Sequence, residues 1–502
     1  MDDRSQKMNR DVQRGRRIKE AAQAAGITLR DLAVRLCIAR PTIYAYVAGT
    51  LRVPPARLRA IAEITKRPVE YFDQLGDEPG RWDGEMAVQH ADAMIARPDF
   101  RSAAEFAADS IRLVPESAHF ARGRLLQRAG TSRLYLGEYV EAIRNLEDAH
   151  REFGEAGRKD CQGDCSQSLG YCYLNIGLIE HARNAFAFAL QHCDGEDRWR
   201  AEVSFAAVAD RIGEFDAAEE RLARLEQEPG LPEMARLYTL ANLAGLASNR
   251  GCWDLSVERS LPVLEQAMSL GLRDQALERL LQIGLARFRQ GHLEEASLWL
   301  IRAADAAALV GDRSRGTLVK LITASLAMAL GETELARTET VQMLSEATRN
   351  QYRRSEAYAQ VQLARLALGR ADAHGALDAA VQAQTFCETY RYYVLEVEAR
   401  VCKAQALTLA GRAAEAMELL DELGSDRRTR ALGEARTAAT LASAQALRAL
   451  GRHEDYTTMQ EKAIRFGEAC GARLLLQPAG TGTAHRAYFL KGGAIQSMET
   501  QV

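Results

Sequence analysis

The sequence predicts an all-α chain, with a small basic head followed by a long array of paired helices. Three observations lead there. Ala, Leu, Arg and Glu dominate the 502 residues while aromatics make up only 6%, a mix that suits helices better than strands. Glycines recur along most of the chain at a spacing near 39 residues. Charge also changes sign: residues 1–72 hold 15 basic and 7 acidic side chains, net +8, and the remainder holds 50 and 61, net −11.

Composition excludes several classes. Apolar residues make up 47% and charged residues 26%, so the chain can bury a core. No window approaches the 18 apolar residues that a membrane span needs. The opening MDDRSQKMNRDVQRGRR has charge without an apolar stretch, unlike an export leader. Nine cysteines without such a leader are expected as reduced, mostly buried thiols in a cytoplasmic protein. The Cys161–Cys165 spacing, with Cys172 and Cys193 nearby, lacks the paired ligands of a zinc site. No phosphate-cradling, nucleophile-elbow or HExxH pattern occurs. Neither metal, cofactor nor enzymatic activity is expected.

The head reads as five short helices. Ile18, Ala21, Ala22 and Ala25 share one face of the first, which Gly26 ends. Thr28 caps a second, whose Leu29, Leu32, Ala33 and Leu36 form an apolar stripe. A third starts near Arg40 with Pro41 early, where its missing N–H costs little. It turns Ile43 and Val47 inward and stops at Gly49. Leu58, Ile61, Ala62 and Ile64 form a fourth, and Val69–Phe72 a short fifth.

The string GITLRDLAVRLCIARPTIYAYVAGTLRVPPARLRAIAEITKRPVEYF resembles the helix-turn-helix domain of the Cro/CI-type (Xre-like) repressors. Small Ala33, turn residue Ile38, buried Ile43 and Gly49 carry the likeness. It implies a partner, double-stranded DNA, met by the start of the third helix. The corresponding residues are Arg40, Pro41, Thr42, Tyr44 and Ala45, with Arg40 able to grip guanine in bidentate fashion. Arg52, Arg30 and Arg59 are expected at phosphates. Many members carry Gln after the capping threonine; here Leu29 stands there.

Glycines then fall at 137, 177, 213, 251, 291, 331, 369, 411 and 451. Seven residues before most of them stands a small residue, such as Gly130, Gly170 or Ala206. Five after comes alanine, as at Ala142 and Ala182, and nine after a bulky residue such as Leu146 or Phe186. A glycine turn between two helices explains the pattern. An earlier unit has Pro98 at the turn, then Phe100 and Ala103. The unit at Gly369 is expected to hold a short insertion at Ala371–His374. The pattern resembles the tetratricopeptide (TPR) repeat, with a period longer than 34 residues. The expected organisation is a head over 1–75, a linker over 76–83, about ten helix pairs over 84–475, and a loose tail over 476–502.

The TPR likeness implies a superhelix whose first helices line a concave, ligand-binding face. Gln127, Gln167, Tyr171, Asn175, Asp210, Arg211, Asn242, Asn249, Gln282 and Phe288 are expected there. Amides suit a peptide backbone, offering both donor and acceptor. Together the two parts resemble the RRNPP class of peptide-pheromone, quorum-sensing transcription regulators. That likeness implies a homodimer whose body senses a peptide or protein ligand and sets the geometry of two DNA-binding heads. An interaction scaffold, with the head used for dimerisation or docking, is the alternative.

Overall fold

The computed structural model describes residues 14–72, apart from 16, 37, 49, 50 and 52, together with 85–96 and 99–476. Pro98, Gly49, Arg52, the expected linker and the tail from Gln477 lie outside the described residues. The chain divides into two compact units, a head over residues 1–85 with 113–115, and a body over the rest. No helix of the described residues is long and apolar enough to cross a membrane.

In the head, α1 (17–24) buries Ile18, Ala21 and Ala22, and Ala25 lies exposed in the turn after it. Thr28 Oγ1 accepts the Asp31 N–H at 3.1 Å and so caps α2 (Leu29–Arg35). Leu32 and Ala33 turn inward, and Leu29 is half-buried. Helix α3 (Arg40–Val47) buries Ile43 and Tyr46. The expectation that Val47 faces inward is corrected, because the helix phase set by Ile43 buries the residue three later and leaves Val47 half-buried. Helix α4 (Pro55–Thr65) packs through Leu58, Ile61 and Ala62, and a 3-10 turn over Val69–Phe72 buries Tyr71 and Phe72. Arg57 Nη1 donates to the Leu36 carbonyl at 2.5 Å, tying α4 to the end of α2. A Cβ at Gly15 would meet the carbonyl oxygens of Tyr46 and Val47, so the chain entering α1 lies hard against the end of α3.

Among the described residues the body holds ten helix pairs. They are α5/α6 (Glu85–Ala96, Phe100–Ile111), α7/α8 (His119–Tyr135, Tyr139–Glu155), α9/α10 (Lys159–Asn175, Ile179–His192), α11/α12 (Gly195–Arg211, Phe215–Glu226) and α13/α14 (Glu233–Asn249, Trp253–Ser269). Next come α15/α16 (Arg273–Arg289, Leu293–Val310), α17/α18 (Arg313–Ala329, Thr333–Asn350), α19/α20 (Arg353–Gly369, Ala373–Thr389) and α21/α22 (Tyr393–Leu409, Ala413–Ser425). A four-residue turn of helix, α23 (Arg427–Arg430), precedes α24/α25 (Gly433–Ala449, His453–Cys470). From Trp253 to His453 every long helix starts 20 residues after the last, which is a helix of about 25 Å and a tight turn. The period of 40 therefore exceeds 34 because the helices are long.

The spacing pattern has a packing cause. The small residue before each turn faces the bulky residue after it. A Cβ on Gly130 would meet Leu146, one on Gly170 would meet Phe186, and one on Gly284 would meet Leu300. Ala142, Ala182, Ala218 and Ala296 are fully buried between them. The expected insertion at Ala371–His374 is absent. The turn position there is Ala371, with φ +56°, and not Gly369. Read from 371, the small residue seven before is Ala364 and the alanine five after is Ala376, both fully buried, so the repeat is unbroken.

An alanine in the left-handed region is strained by about 1 kcal/mol or more. Ala371→Gly is expected to raise stability by about 0.5–1 kcal/mol, read from the midpoint of urea unfolding. An unchanged or lower midpoint contradicts the strain.

The superhelix closes on itself. A Cβ at Gly137 would meet Ser314, one at Gly177 would meet Tyr390, one at Gly213 would meet Tyr393, and one at Gly251 would meet Glu434. Turns of early pairs thus rest against helix starts 170–220 residues later. Across this seam Gly433 N–H donates to the Arg250 carbonyl at 2.6 Å, and Tyr392 Oη donates to the Asn175 carbonyl at 3.1 Å. Arg427 pairs with Asp216 at 2.7 Å and Arg473 with Asp254 at 3.0 Å. Gly331, Gly411 and Gly451 occupy the same turn position with open space beside them.

Candidate functional site

Two surfaces hold the residues that the sequence singled out. On the head, Pro41 sits at the start of α3, where a proline ring is tolerated. Arg40, Pro41 and Tyr44 are exposed, with Tyr44 at 54%, while Thr42 and Ala45 are half-buried. Arg30 and Arg59 are exposed, and Arg52 lies outside the described residues. Arg40, Pro41 and Tyr44 thus lie on the side of α3 away from buried Ile43 and Tyr46.

The second surface is a cavity of about 390 Å³ inside the body, within the range of small-ligand pockets. First helices of successive pairs line it, from Thr131 on α7 to Glu398 on α21. Of the residues expected on the concave face, Tyr171, Asn175, Asp210, Arg211, Asn242, Asn249 and Gln282 line it. Gln127, Gln167 and Phe288 do not. Gln127 is buried and donates to Asp164, Gln167 is fully buried, and Phe288 belongs to the apolar core of α15–α19. All three lie on first helices, but a helix has more than one inner-facing row and these point into the packing between neighbours.

Apart from Asp210, Arg211 and Tyr171, the charged residues and tyrosines of the wall are not among those expected from the sequence. The lining includes six arginines, Arg200, Arg211, Arg279, Arg289, Arg315 and Arg354, against four carboxylates, Asp210, Asp274, Glu278 and Glu398. Tyr135, Tyr139, Tyr238, Tyr358, Tyr392 and Tyr393 join them. Six of these sixteen, Arg315, Arg354, Tyr358, Tyr392, Tyr393 and Glu398, come from the far side of the superhelical seam. Most sit on first helices, a place shared by many buried residues, while Tyr139 starts α8 and Tyr392 precedes α21.

Two clusters organise the polar wall. In one, Asp210 Oδ2 accepts from Asn249 Nδ2 at 2.5 Å, and its Oδ1 is buried without a hydrogen-bond partner. Burial pushes the Asp210 carboxyl up to about 6, against the pull of Asn249, Arg211 and Arg354. The Arg211 guanidinium lies 4.5 Å from the centre of the Tyr392 ring and donates to the Leu174 carbonyl at 3.3 Å. In the other, Glu278 meets Arg315 Nε at 2.8 Å and Arg354 Nη1 at 3.5 Å. Burial alone raises a carboxyl, yet Arg315, Arg354 and Arg279 hold Glu278 down at about 2. Arg279 Nη1 donates to the Ala241 carbonyl at 2.5 Å. Asn175 and Asn242 each spend one amide N–H on the carbonyl four residues back, Tyr171 and Tyr238.

Beside the cavity is a buried ionic group. Arg289 Nη1 donates to Glu434 Oε1 at 2.8 Å, and Arg365 pairs with Glu398 at 3.0 Å. Glu398 also lies 4.0 Å from Arg289. These contacts join α15, α19, α21 and α24 where the seam closes. The eight described cysteines are free and six of them are buried.

Residues 18–72 match the family model described as helix-turn-helix. No curated protein matches the chain in sequence. Among solved structures, the Rap protein complexed with Competence and Sporulation Factor is similar at a TM-score of 0.53 and 13% identity, covering 68% of this chain and 98% of that one. The apo form of the quorum sensor NprR from B. thuringiensis is similar at 0.44 and 12%, covering 74% and 99%. The Rap conjugation gene regulator of the plasmid pLS20, in complex with the Phr* peptide, is similar at 0.40 and 12%, covering 68% and 98%. With the first of these the chain shares its fold. The chain has an Xre-like helix-turn-helix domain at its N-terminus, followed by a TPR-like helical array.

Proposed function

We propose that the protein is a sequence-specific DNA-binding transcription regulator whose helical body senses a peptide or protein ligand. The supporting observation is one exposed face on α3, with Arg40 and Tyr44 outward, in a chain whose body encloses a polar cavity. Arg40 reads a guanine edge, Tyr44 contacts a base or phosphate, and Arg30 and Arg59 hold phosphates. Arg52 is assigned to a phosphate as well. Two copies act together, because one short helix reads too few base pairs for a specific site, and half-sites one helical turn apart need a dimer. The ligand works by differential affinity: it binds one arrangement of the body better and so shifts the population of the DNA-competent form. The similar Rap protein is complexed with Competence and Sporulation Factor in its solved structure, which supports a ligand-binding body. The regulator acts in the cytoplasm, where the DNA is, and has no catalytic role.

Selection of binding sites from randomised duplex DNA tests the reading, with full-length protein at fixed salt. An enriched palindrome is expected. Arg40→Ala is expected to weaken binding to it by about 1–3 kcal/mol per half-site, roughly five- to 150-fold for each, and to relax one position in each half-site. Enrichment that the substitution leaves untouched contradicts the assignment of α3.

A further inference from the structure

The ligand's chemical class follows from what the cavity wall leaves unbalanced. Most of its cations share or lack counter-ions. Glu278 serves three arginines, Arg315, Arg354 and Arg279, although only Arg315 has a second carboxylate, Asp312, at 2.7 Å. Among the described residues Arg279 has no carboxylate within ion-pair distance. It is 4% exposed, and its Nε has no hydrogen-bond partner. Arg211 also lacks a carboxylate at that distance, lying on Tyr392 instead. Arg354 links the two clusters, since its charge acts on both Asp210 and Glu278. A buried cation without a partner is costly in a fold, by several kcal/mol of lost hydration. Such surplus is retained at a site where a ligand completes the balance.

The wall also has an acceptor to satisfy. Gln282 is 6% exposed and lines the cavity, and its Oε1 is buried without a partner. An amide or ammonium N–H would fill that position. Tyr171 and Tyr392 give flat apolar area on the same wall. Gly245 stands beside Gln282, and a Cβ there would lie 3.4 Å from its Nε2 with no backbone in the way, so the backbone of α13 is open to the cavity.

We propose that the cavity binds a small anionic ligand that also carries N–H groups, a short acidic peptide being the fitting class, with its carboxylate held between Arg211, Arg279 and Arg354. The inference rests on the ligand-sensing reading above and narrows it.

Affinity selection on the full-length protein tests it with three synthetic pools. One is random pentapeptides with a free C-terminus, containing Asp and Glu. Another is the same pool amidated, with Asn and Gln in their place. The third is non-peptide dicarboxylates and phosphate monoesters. Two variants serve as controls. Arg354→Gln removes the half-exposed bridging cation, and Gly245→Leu fills the cavity at a helical position where leucine favours the helix. Circular dichroism shows that each is folded. The expected result is retention of net-negative species from the first pool, weakened at least tenfold by Arg354→Gln and abolished by Gly245→Leu. Retention from the third pool alone, with the same dependence, keeps the anionic class and overturns the peptide. Equal retention of the neutral pool, retention unaffected by either variant, or no retention from any pool overturns the proposal. A retained anion that leaves affinity for the selected DNA unchanged instead fails the sensing reading and leaves this proposal standing.

Discussion

Glu434→Gln is expected to lower stability by about 3 kcal/mol, because it leaves the Arg289 guanidinium buried with its nearest counter-ion gone. Both side chains are under 10% exposed and lie 2.8 Å apart, so water cannot take over. Glu398, at 4.0 Å from Arg289, recovers a small part. The signature that separates this from a general packing defect is the double variant. Arg289→Met with Glu434→Met removes both charges and keeps the volume, and replacing a buried pair in this way is often neutral or stabilising. The single variant is expected to unfold several degrees lower and the double variant to recover most of the difference. A single variant that melts with the parent protein contradicts the assignment of this pair as the closing contact of the seam. Arg289 also lines the cavity, so the pair ties the cavity wall to α24 at the seam.

Asp210 is expected to make the body more stable as pH falls from 7 to 5. Its carboxyl titrates near 6 when folded, from an ordinary value near 3.8, because burial disfavours the charged form. Between these values the folded chain holds a proton that the unfolded chain has released. The slope is therefore negative: stability falls as pH rises through about 4 to 6 and is lowest above it. Two units correspond to about 2–3 kcal/mol. Asp210→Asn keeps the shape and the bond to Asn249 but cannot titrate. The variant is expected to be the more stable protein at pH 7.5, to keep about half of that advantage at pH 5 and to lose most of it near pH 4, with thermal midpoints compared across this range. Parallel midpoints for the two proteins at every pH would sink the assignment.

Much of the architecture was legible because repetition amplifies weak signals. One glycine between helices says little, whereas eight at a regular spacing, six of them with alanine five residues on, leave few alternatives to a helical array. Seven of ten residues expected on the inner face do line the cavity, since Tyr171, Asn175, Asp210 and Asn249 follow from the phase of first helices. Gln127, Gln167 and Phe288 escaped it because two rows of the same helix look alike in sequence, and one faces the next pair. In the head, Ile43 was read correctly and Val47 was not, because Tyr46 is amphipathic and its ring is buried. At Ala371 glycine is a misleading marker of the register. The backbone needs a left-handed residue there, and the sequence supplies alanine at the expected place and glycine two residues early.

The sequence by itself determined the helices, their pairing and the 40-residue period, since these depend on neighbours within one repeat. It also placed the basic head and the outward face of α3. Only the tertiary structure decided that the array closes on itself, for that contact joins residues 170–220 apart and has no period. Closure is what makes Gly137, Gly177, Gly213 and Gly251 sites of close approach while Gly411 and Gly451 serve only their turns. It also brings Arg354, Tyr392 and Glu398 across from Asp210 and Arg211, turning a polar inner face into a cavity.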